Sequence, residues 1–256
     1  TSTSTCVDLL VLGPATDGSG PLTVHQLRDH LVQRLHLVPS FRWRLAPVPG
    51  GIDTPRWVDD PDFDLGYHVR QATLPAPGGH DELRAFVASQ LPGLIDLRHP
   101  LWQVVLVDGL ADGRQALVWR FHHSLADGAA LVTILDRLMG PPPARTAPAW
   151  QAQALPGPVR LFAGAVRQQT RAWLDGPALL GETLRRFKAV DERRASAPVA
   201  VPRSMGDAPR TALNRSADAE RAFGLARVDL AELQQVRKAA GTTVSDVVLA
   251  VVAGAL

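Results

Sequence analysis

"QALVWRFHHSLADGAALVTILDRLM", residues 115–139, changes its hydrophobic period halfway along. Gln115–Phe121 has the β-branched and aromatic content of a short strand, whereas Ala129–Met139 reads as a helix. Between them stand two histidines, an aspartate and a glycine. A polar cluster at a strand-to-helix junction is either a turn or a site.

Outward from this junction the same alternation continues. Trp102–Asp108 is a strand joined to Gln115–Phe121 by "GLADG", whose Asp112-Gly113 is a hairpin signal. Cys6–Leu12 reads as a first strand, ended by Gly13-Pro14. A helix is expected from Thr23, which has capping-box spacing to Gln26, with Leu27, Leu31 and Leu35 on one face until Pro39 stops it. Phe41–Val48, Arg56–Asp59 and Tyr67–Leu74 are expected strands, and Asp81–Gln90 a second helix.

After Met139 the texture changes. "GPPPARTAPAWQAQALPGP" (140–158) is Pro- and Ala-rich like a linker, and Val159–Trp173 and Ala178–Phe187 read as two amphipathic helices. An irregular stretch covers 191–216, followed by an expected strand at Arg221–Val228 and a helix capped by Asp229 that ends at Gly241. A last helix starts near Thr243, with Asp246 completing a capping box. Its apolar run, Val247–Leu256, has no C-terminal cap or polar tail, so the expectation is a piece of a longer protein or an end that docks into another subunit.

The bulk numbers fit a folded globular chain, with 46% hydrophobic and 20% charged residues in 256. Net charge is only +2 and the basic residues are scattered, which argues against a nucleic-acid groove. Only Lys188 and Lys238 among the 27 basic residues are lysines. The single cysteine, Cys6, excludes an internal disulfide framework and suits a reducing compartment. Val247–Leu256, the longest apolar run, is too short for a bilayer core that needs about 20 residues.

Histidine gains and loses a proton near neutral pH, as removal of a proton from an alcohol or thiol requires. On the bend after a strand, neighbouring side chains point to opposite sides, so His122 and His123 are expected to take different roles. Asp127 can hold the loop by bonding backbone amides or a buried arginine, and Gly128 permits a close approach where a side chain would collide. The N–H of Gly128, at a helix start, can stabilise a developing oxyanion. A metal centre needs converging ligands, and the sequence has no HExxH and no cysteine pair, so no metal is expected. Ser124 lacks the Gly-x-Ser-x-Gly elbow of a serine nucleophile. The plainer reading is a structural histidine pair in a turn.

HHSLADG (122–128) resembles the HHxxxDG motif of the acyl-CoA-dependent acyltransferase superfamily, which includes chloramphenicol acetyltransferase and peptide-synthetase condensation domains. Within it the chain is most similar to the bacterial wax ester synthase/diacylglycerol acyltransferase family. The supporting segments are "LHLVPSFRWRL" (35–45), "WVDDPDFDLGYHVR" (57–70), "LPAPGG" (74–79), "HPLWQVVLVDGL" (99–110) and "VSDVVLAVVAGAL" (244–256). They follow the family's order and cover most of the chain. The family's opening pattern is reduced here to "CVDLLVL".

The resemblance implies an α/β fold with a chloramphenicol-acetyltransferase-like lobe, a mixed sheet with flanking helices, over 1–140. A helical linker over 141–216 and the start of a second lobe over 217–256 would follow. It implies that His123 is the general base, His122 its structurally demanding neighbour, Asp127 a loop organiser and Gly128 the source of room beside the reacting carbonyl. Pro100, Leu101 and Trp102 match the family's PLW segment, which binds substrate on one reading and packs Trp102 into the core on the other. Ser245 and Asp246 match its NDVVLA segment, with serine replacing asparagine, and Asp246 alternatively caps a helix. The implied activity is O-acyl transfer from acyl-CoA to diacylglycerol or a long-chain alcohol, giving triacylglycerol or wax ester, with acyl-CoA as co-substrate and no cofactor. A cytoplasmic location with peripheral contact at a membrane or lipid inclusion would follow. Rival readings are a condensation-type transferase using carrier-protein thioesters and a catalytically inert lipid-binding fragment.

Overall fold

The computed structural model describes residues 5–14, 20–91, 93, 95–141, 150–195, 224 and 226–255. In chain order the strands are β1 (Thr5–Leu12), β2 (Trp43–Ala46), β3 (Arg56–Asp59), β4 (Val69–Thr73), β5 (Trp102–Asp108) and β6 (Gln115–His122). The helices are α1 (Val24–Val32), α2 (Leu65–His68), α3 (His80–Gln90), α4 (Gly128–Met139), α5 (Pro158–Ala195), α6 (Leu230–Ala240) and α7 (Val244–Ala255). A mixed sheet in the order β1-β6-β5-β4 forms the centre, with β4 parallel to β5 and the other pairs antiparallel. β2 and β3 make a separate antiparallel ribbon. The expected mixed sheet with flanking helices is therefore present.

β6 shows why the sheet sits in the middle. Leu117, Trp119 and Phe121 enter one core cluster with α1 and α4, whereas Ala116 and Val118 enter a second cluster under α3. Both faces are covered, which is why the strand reads as a near-continuous apolar run. Strand alternation carries Arg120 and His122 to the face of Ala116 and Val118.

The larger cluster is organised around Trp102, whose ring stacks on Phe41 and His68 with centroids 4.6 Å apart in each case and lies 5.9 Å from Trp119. Beneath the other face, "LPAPGG" is a turn that locks onto the β5–β6 hairpin. The Gly78 carbonyl accepts the Ala111 N–H at 2.8 Å, and at φ +72° a Cβ on Gly78 would collide with the Gly109 carbonyl.

The capping expectations hold. Thr23 and Gln26 form a reciprocal box at the start of α1, Asp229 accepts the Ala231 N–H at 2.7 Å, and Gly241 ends α6 in the left-handed conformation. Other boundaries move. The strand expected from Phe41 begins at Trp43, because Pro39–Arg42 forms a 3-10 turn. The strand expected from Tyr67 begins at Val69, because Asp64 caps the helical turn α2. The two helices expected at 159–187 are one 38-residue helix that runs through Pro177. Proline removes one hydrogen bond, here to the Trp173 carbonyl, but the flanking Arg, Gln, Ala, Leu and Glu residues favour helix on both sides. Gly224 and residues 226–228 carry no strand, and the rest of the strand expected at Arg221–Val228 lies outside the described residues.

Part of the expected linker packs back on the lobe. The Gln153 N–H donates to Asp59 at 2.8 Å, and the Arg42 guanidinium lies 4.7 Å over the Trp150 ring.

Candidate active site

The end of β6 is held from both sides. His122 is in register with Thr5 of β1, and its N–H donates to the Leu101 carbonyl at 2.9 Å. The chain then turns, and the Leu125 N–H returns to the His122 carbonyl at 2.9 Å. Leu125 packs against the larger core cluster and Ala126 is buried within it, which anchors the far side of the turn. Asp127 ends the loop as the N-cap of α4: its carboxylate accepts the Ala130 N–H and its carbonyl the Leu131 N–H, both at 2.8 Å. Of the two partners open to Asp127 in the sequence, backbone amide and buried arginine, the structure has the amide.

The two imidazoles sit differently. His122 is half-buried, and its Nδ1 accepts the Ser124 N–H at 3.2 Å and lies 2.8 Å from Ser124 Oγ. A backbone N–H can only donate, so the neutral ring carries its proton on Nε2. His123 is exposed on the turn and has no hydrogen-bond partner among the described residues. Its ring nitrogens are open to a substrate. The N-terminus of α4, with its positive end of the helix dipole, begins five residues later at Gly128. A Cβ on Gly128 would meet nothing within 4 Å among the described residues, so the space beside it is open.

Pro100, Leu101 and Trp102 are buried. Their backbone carries the loop while their side chains fill the core. The Leu101 carbonyl holds His122, the Trp102 carbonyl accepts His68 Nδ1–H at 2.7 Å, and the Trp102 indole N–H donates to the Phe41 carbonyl at 2.7 Å. His68 is fully buried, with no partner at Nε2 among the described residues, and burial pushes its pKa down to about 4 despite the bond to Trp102. It is therefore neutral at physiological pH.

Ser245 and Asp246 lie exposed in the first turn of α7. The Asp246 carboxylate accepts the Thr243 hydroxyl at 2.7 Å and its N–H at 2.9 Å, bonds that hold its pKa below the usual carboxylate range. This is the helix cap. No hydrogen bond or ion pair joins Ser245 or Asp246 to the His122–Gly128 loop among the described residues.

Two contributors escaped the sequence reading. Ser124 reads in the sequence as a nucleophile without its elbow, although a serine two residues after a histidine can reach back to its ring. His68 lay inside the segment "DLGYHVR" without a role of its own, and its neighbours Leu65 and Val69 were the signal that it is a core histidine. Among the described residues, no group of three or more His, Cys, Asp or Glu side chains is placed to hold a metal ion.

Known proteins resemble this chain along most of its length. The family described as wax ester synthase/diacylglycerol acyltransferase catalytic domain matches residues 4–248. A Mycobacterium tuberculosis H37Rv protein named as a putative diacylglycerol O-acyltransferase is 36% identical over 96% of this chain and 53% of its own length. A second from that strain, named as a probable diacylglycerol O-acyltransferase, is 32% identical over 84% of this chain and 83% of its own length. The solved structure of the wax ester synthase/diacylglycerol acyltransferase from Marinobacter aquaeolei VT8 superposes with a TM-score of 0.57 at 27% identity, covering 97% of this chain and 54% of that one. The chain thus spans about half the length of the first relatives it matches.

Proposed function

Because the chain belongs to the wax ester synthase/diacylglycerol acyltransferase family, we propose that it carries the base-bearing lobe of an enzyme moving a long acyl chain from coenzyme A to a hydroxyl. The acceptor is diacylglycerol or a long-chain alcohol, and the product triacylglycerol or wax ester. Residues 1–140 form that lobe, and a cytoplasmic location with peripheral contact at a membrane or lipid inclusion suits substrates of such low polarity.

In this reading His123 takes the acceptor hydroxyl proton as the oxygen attacks the thioester carbonyl. The tetrahedral oxyanion forms near the N-terminus of α4, where the helix dipole favours negative charge. Its collapse breaks the C–S bond, and the imidazolium of His123 returns the proton to the leaving thiolate. Ester and free thiol result, with no covalent enzyme intermediate. His122 and Asp127 position the loop that presents His123.

The observation that carries the proposal is an exposed His123, without a hydrogen-bond partner among the described residues, on a turn fixed at one end by the sheet and at the other by a capped helix. The test is thiol release from palmitoyl-CoA with dioleoylglycerol or hexadecanol as acceptor. Acceptor-dependent release should fall by roughly 10² to 10⁴-fold in His123→Ala, the range for a positioned acid–base group. An equal rate in the folded variant removes His123 from the chemistry.

A further inference from the structure

α5 meets the rest of the molecule where it crosses the β2–β3 ribbon, with Ala165 buried and the Gln169 amide donating to the Ile52 carbonyl at 3.2 Å. Beside that crossing lies a groove of about 380 Å³ lined by Arg56 and Trp57 of β3 and by Arg160, Arg167 and Arg171 of α5. The volume is within the range of small-molecule sites. Arg56 already has a counter-ion, Asp53, at 2.7 Å. Arg160, Arg167 and Arg171 have no ion pair or hydrogen bond among the described residues, and Asp175, one turn beyond Arg171, makes no ion pair with it.

Three like charges on one wall of a groove repel one another until an anion enters. Their spacing says which kind. At a rise of about 1.5 Å per residue, Arg167 and Arg171 are about 6 Å apart along the helix axis and Arg160 about 10 Å from Arg167. A single small anion cannot span that distance, whereas phosphates spread along one molecule can. Guanidinium groups bind phosphate through paired N–H donors. Trp57 is 37% exposed in the same groove and offers a flat apolar face to a heterocycle.

We propose that this groove holds the nucleotide end of the acyl donor, with the adenine on Trp57 and the 3′-phosphate and pyrophosphate of coenzyme A along Arg160, Arg167 and Arg171. The inference rests on the acyl-CoA reading given above and assigns these residues to substrate binding, outside the acid–base chemistry of His123. A lipid headgroup shares the phosphate chemistry, but it supplies neither the heterocycle for Trp57 nor several phosphates in line.

Calorimetric titration of the whole chain with coenzyme A, and with its analogue lacking the 3′-phosphate, tests the assignment. Arg167→Gln/Arg171→Gln should weaken coenzyme A binding by about tenfold or more, since each lost charged hydrogen bond is worth a similar factor. The wild type should prefer coenzyme A over the analogue, and the variant should lose that preference. Trp57→Leu should weaken both ligands equally. In turnover, the arginine variant should show a raised KM for palmitoyl-CoA with kcat unchanged. Equal affinity for coenzyme A in wild type and folded variant overturns the groove, and continued thiol release with an unchanged KM would then leave the transferase reading standing. Loss of binding to phosphatidylglycerol vesicles with coenzyme A binding intact also overturns it, in favour of a headgroup site. Coenzyme A binding that depends on the arginines, in a chain releasing no thiol, keeps the groove and removes the transferase reading.

Discussion

The sheet lobe and α5 are both patterned with large apolar residues, yet they use them in opposite ways. In the lobe, Leu31, Trp102, Trp119 and Leu138 are fully buried, whereas on α5 Val159, Trp173 and Leu174 are each at least 75% exposed. The lobe is held by tertiary burial, which supplies the dominant stabilising free energy of a fold. α5 is helical because a long run of good helix formers outlasts the nucleation cost, with little packing along most of its length. An amphipathic pattern therefore reports a face able to be covered, and only the sheet turns that into a core.

The contrast breaks most visibly at Trp102. Trp102→Ala deletes the ring between Phe41 and His68 and leaves the Phe41 carbonyl without its indole donor. A loss of about 3 to 5 kcal/mol is expected, the usual cost of truncating a buried aromatic. Urea unfolding measures it, and a midpoint near that of the wild type would mean that the lobe does not depend on this stack.

Acid sharpens the same comparison. The folded lobe keeps His68 neutral down to about pH 4, because burial, aided by the nearby His99 and Arg70, outweighs the bond to the Trp102 carbonyl and the Asp64 charge. The unfolded chain protonates that imidazole at its ordinary value near 6.5. Between those values the unfolded state binds more protons, so stability falls as pH drops from 6.5 to 4, by up to about 3 kcal/mol. Asp96, held at about 2 by Arg98, acts in a lower window and loses its contribution only as pH falls below 3.8. His68→Phe keeps a stacking ring and should flatten the profile between pH 6.5 and 4. A slope in that window as steep as the wild type's would show that another group titrates there.

Much of this was legible in the sequence, and the misses have physical causes. Thr23, Asp229 and the Thr243–Asp246 pair act through local hydrogen bonds, so spacing alone locates them, whereas for Asp127 the sequence leaves amide and arginine partners open and the fold decides for the amide. Arg56–Asp59 and Trp102–Asp108 fall on their expected boundaries because turn residues bracket them. The start of β2 was missed because the Phe41 carbonyl is committed to Trp102, sixty-one residues away, and no local pattern encodes that bond. The continuity of α5 was missed because Gly176-Pro177 is a strong break signal that the flanking propensity overrides. At the site, the motif located His122 and His123 in the chain, but the tie from His122 to Ser124 and the exposure of His123 belong to the folded turn.

A smaller effect is expected at the hinge between strand and helix. Asp127→Ala removes the carboxylate that accepts the Ala130 N–H, and loss of an N-cap costs about 1 kcal/mol. Both the urea midpoint and turnover should fall, because the same cap sets the path of the loop that presents His123. Full activity at an unchanged midpoint would separate Asp127 from the loop.

The smallest effect is the sharpest statement of the contrast. Trp173 is as large as Trp102 but 82% exposed, near the middle of α5. Its removal uncovers no cavity and strands no buried polar group, and alanine has the higher helix propensity. Trp173→Ala should therefore shift global stability by less than about 0.5 kcal/mol, in either direction, as surface substitutions do. The measurement is the same urea titration used for Trp102→Ala, on the same chain. A cost of several kcal/mol at Trp173 would mean that its face of α5 is covered in solution, and the distinction between a helix held by packing and one held by propensity would fail at that point.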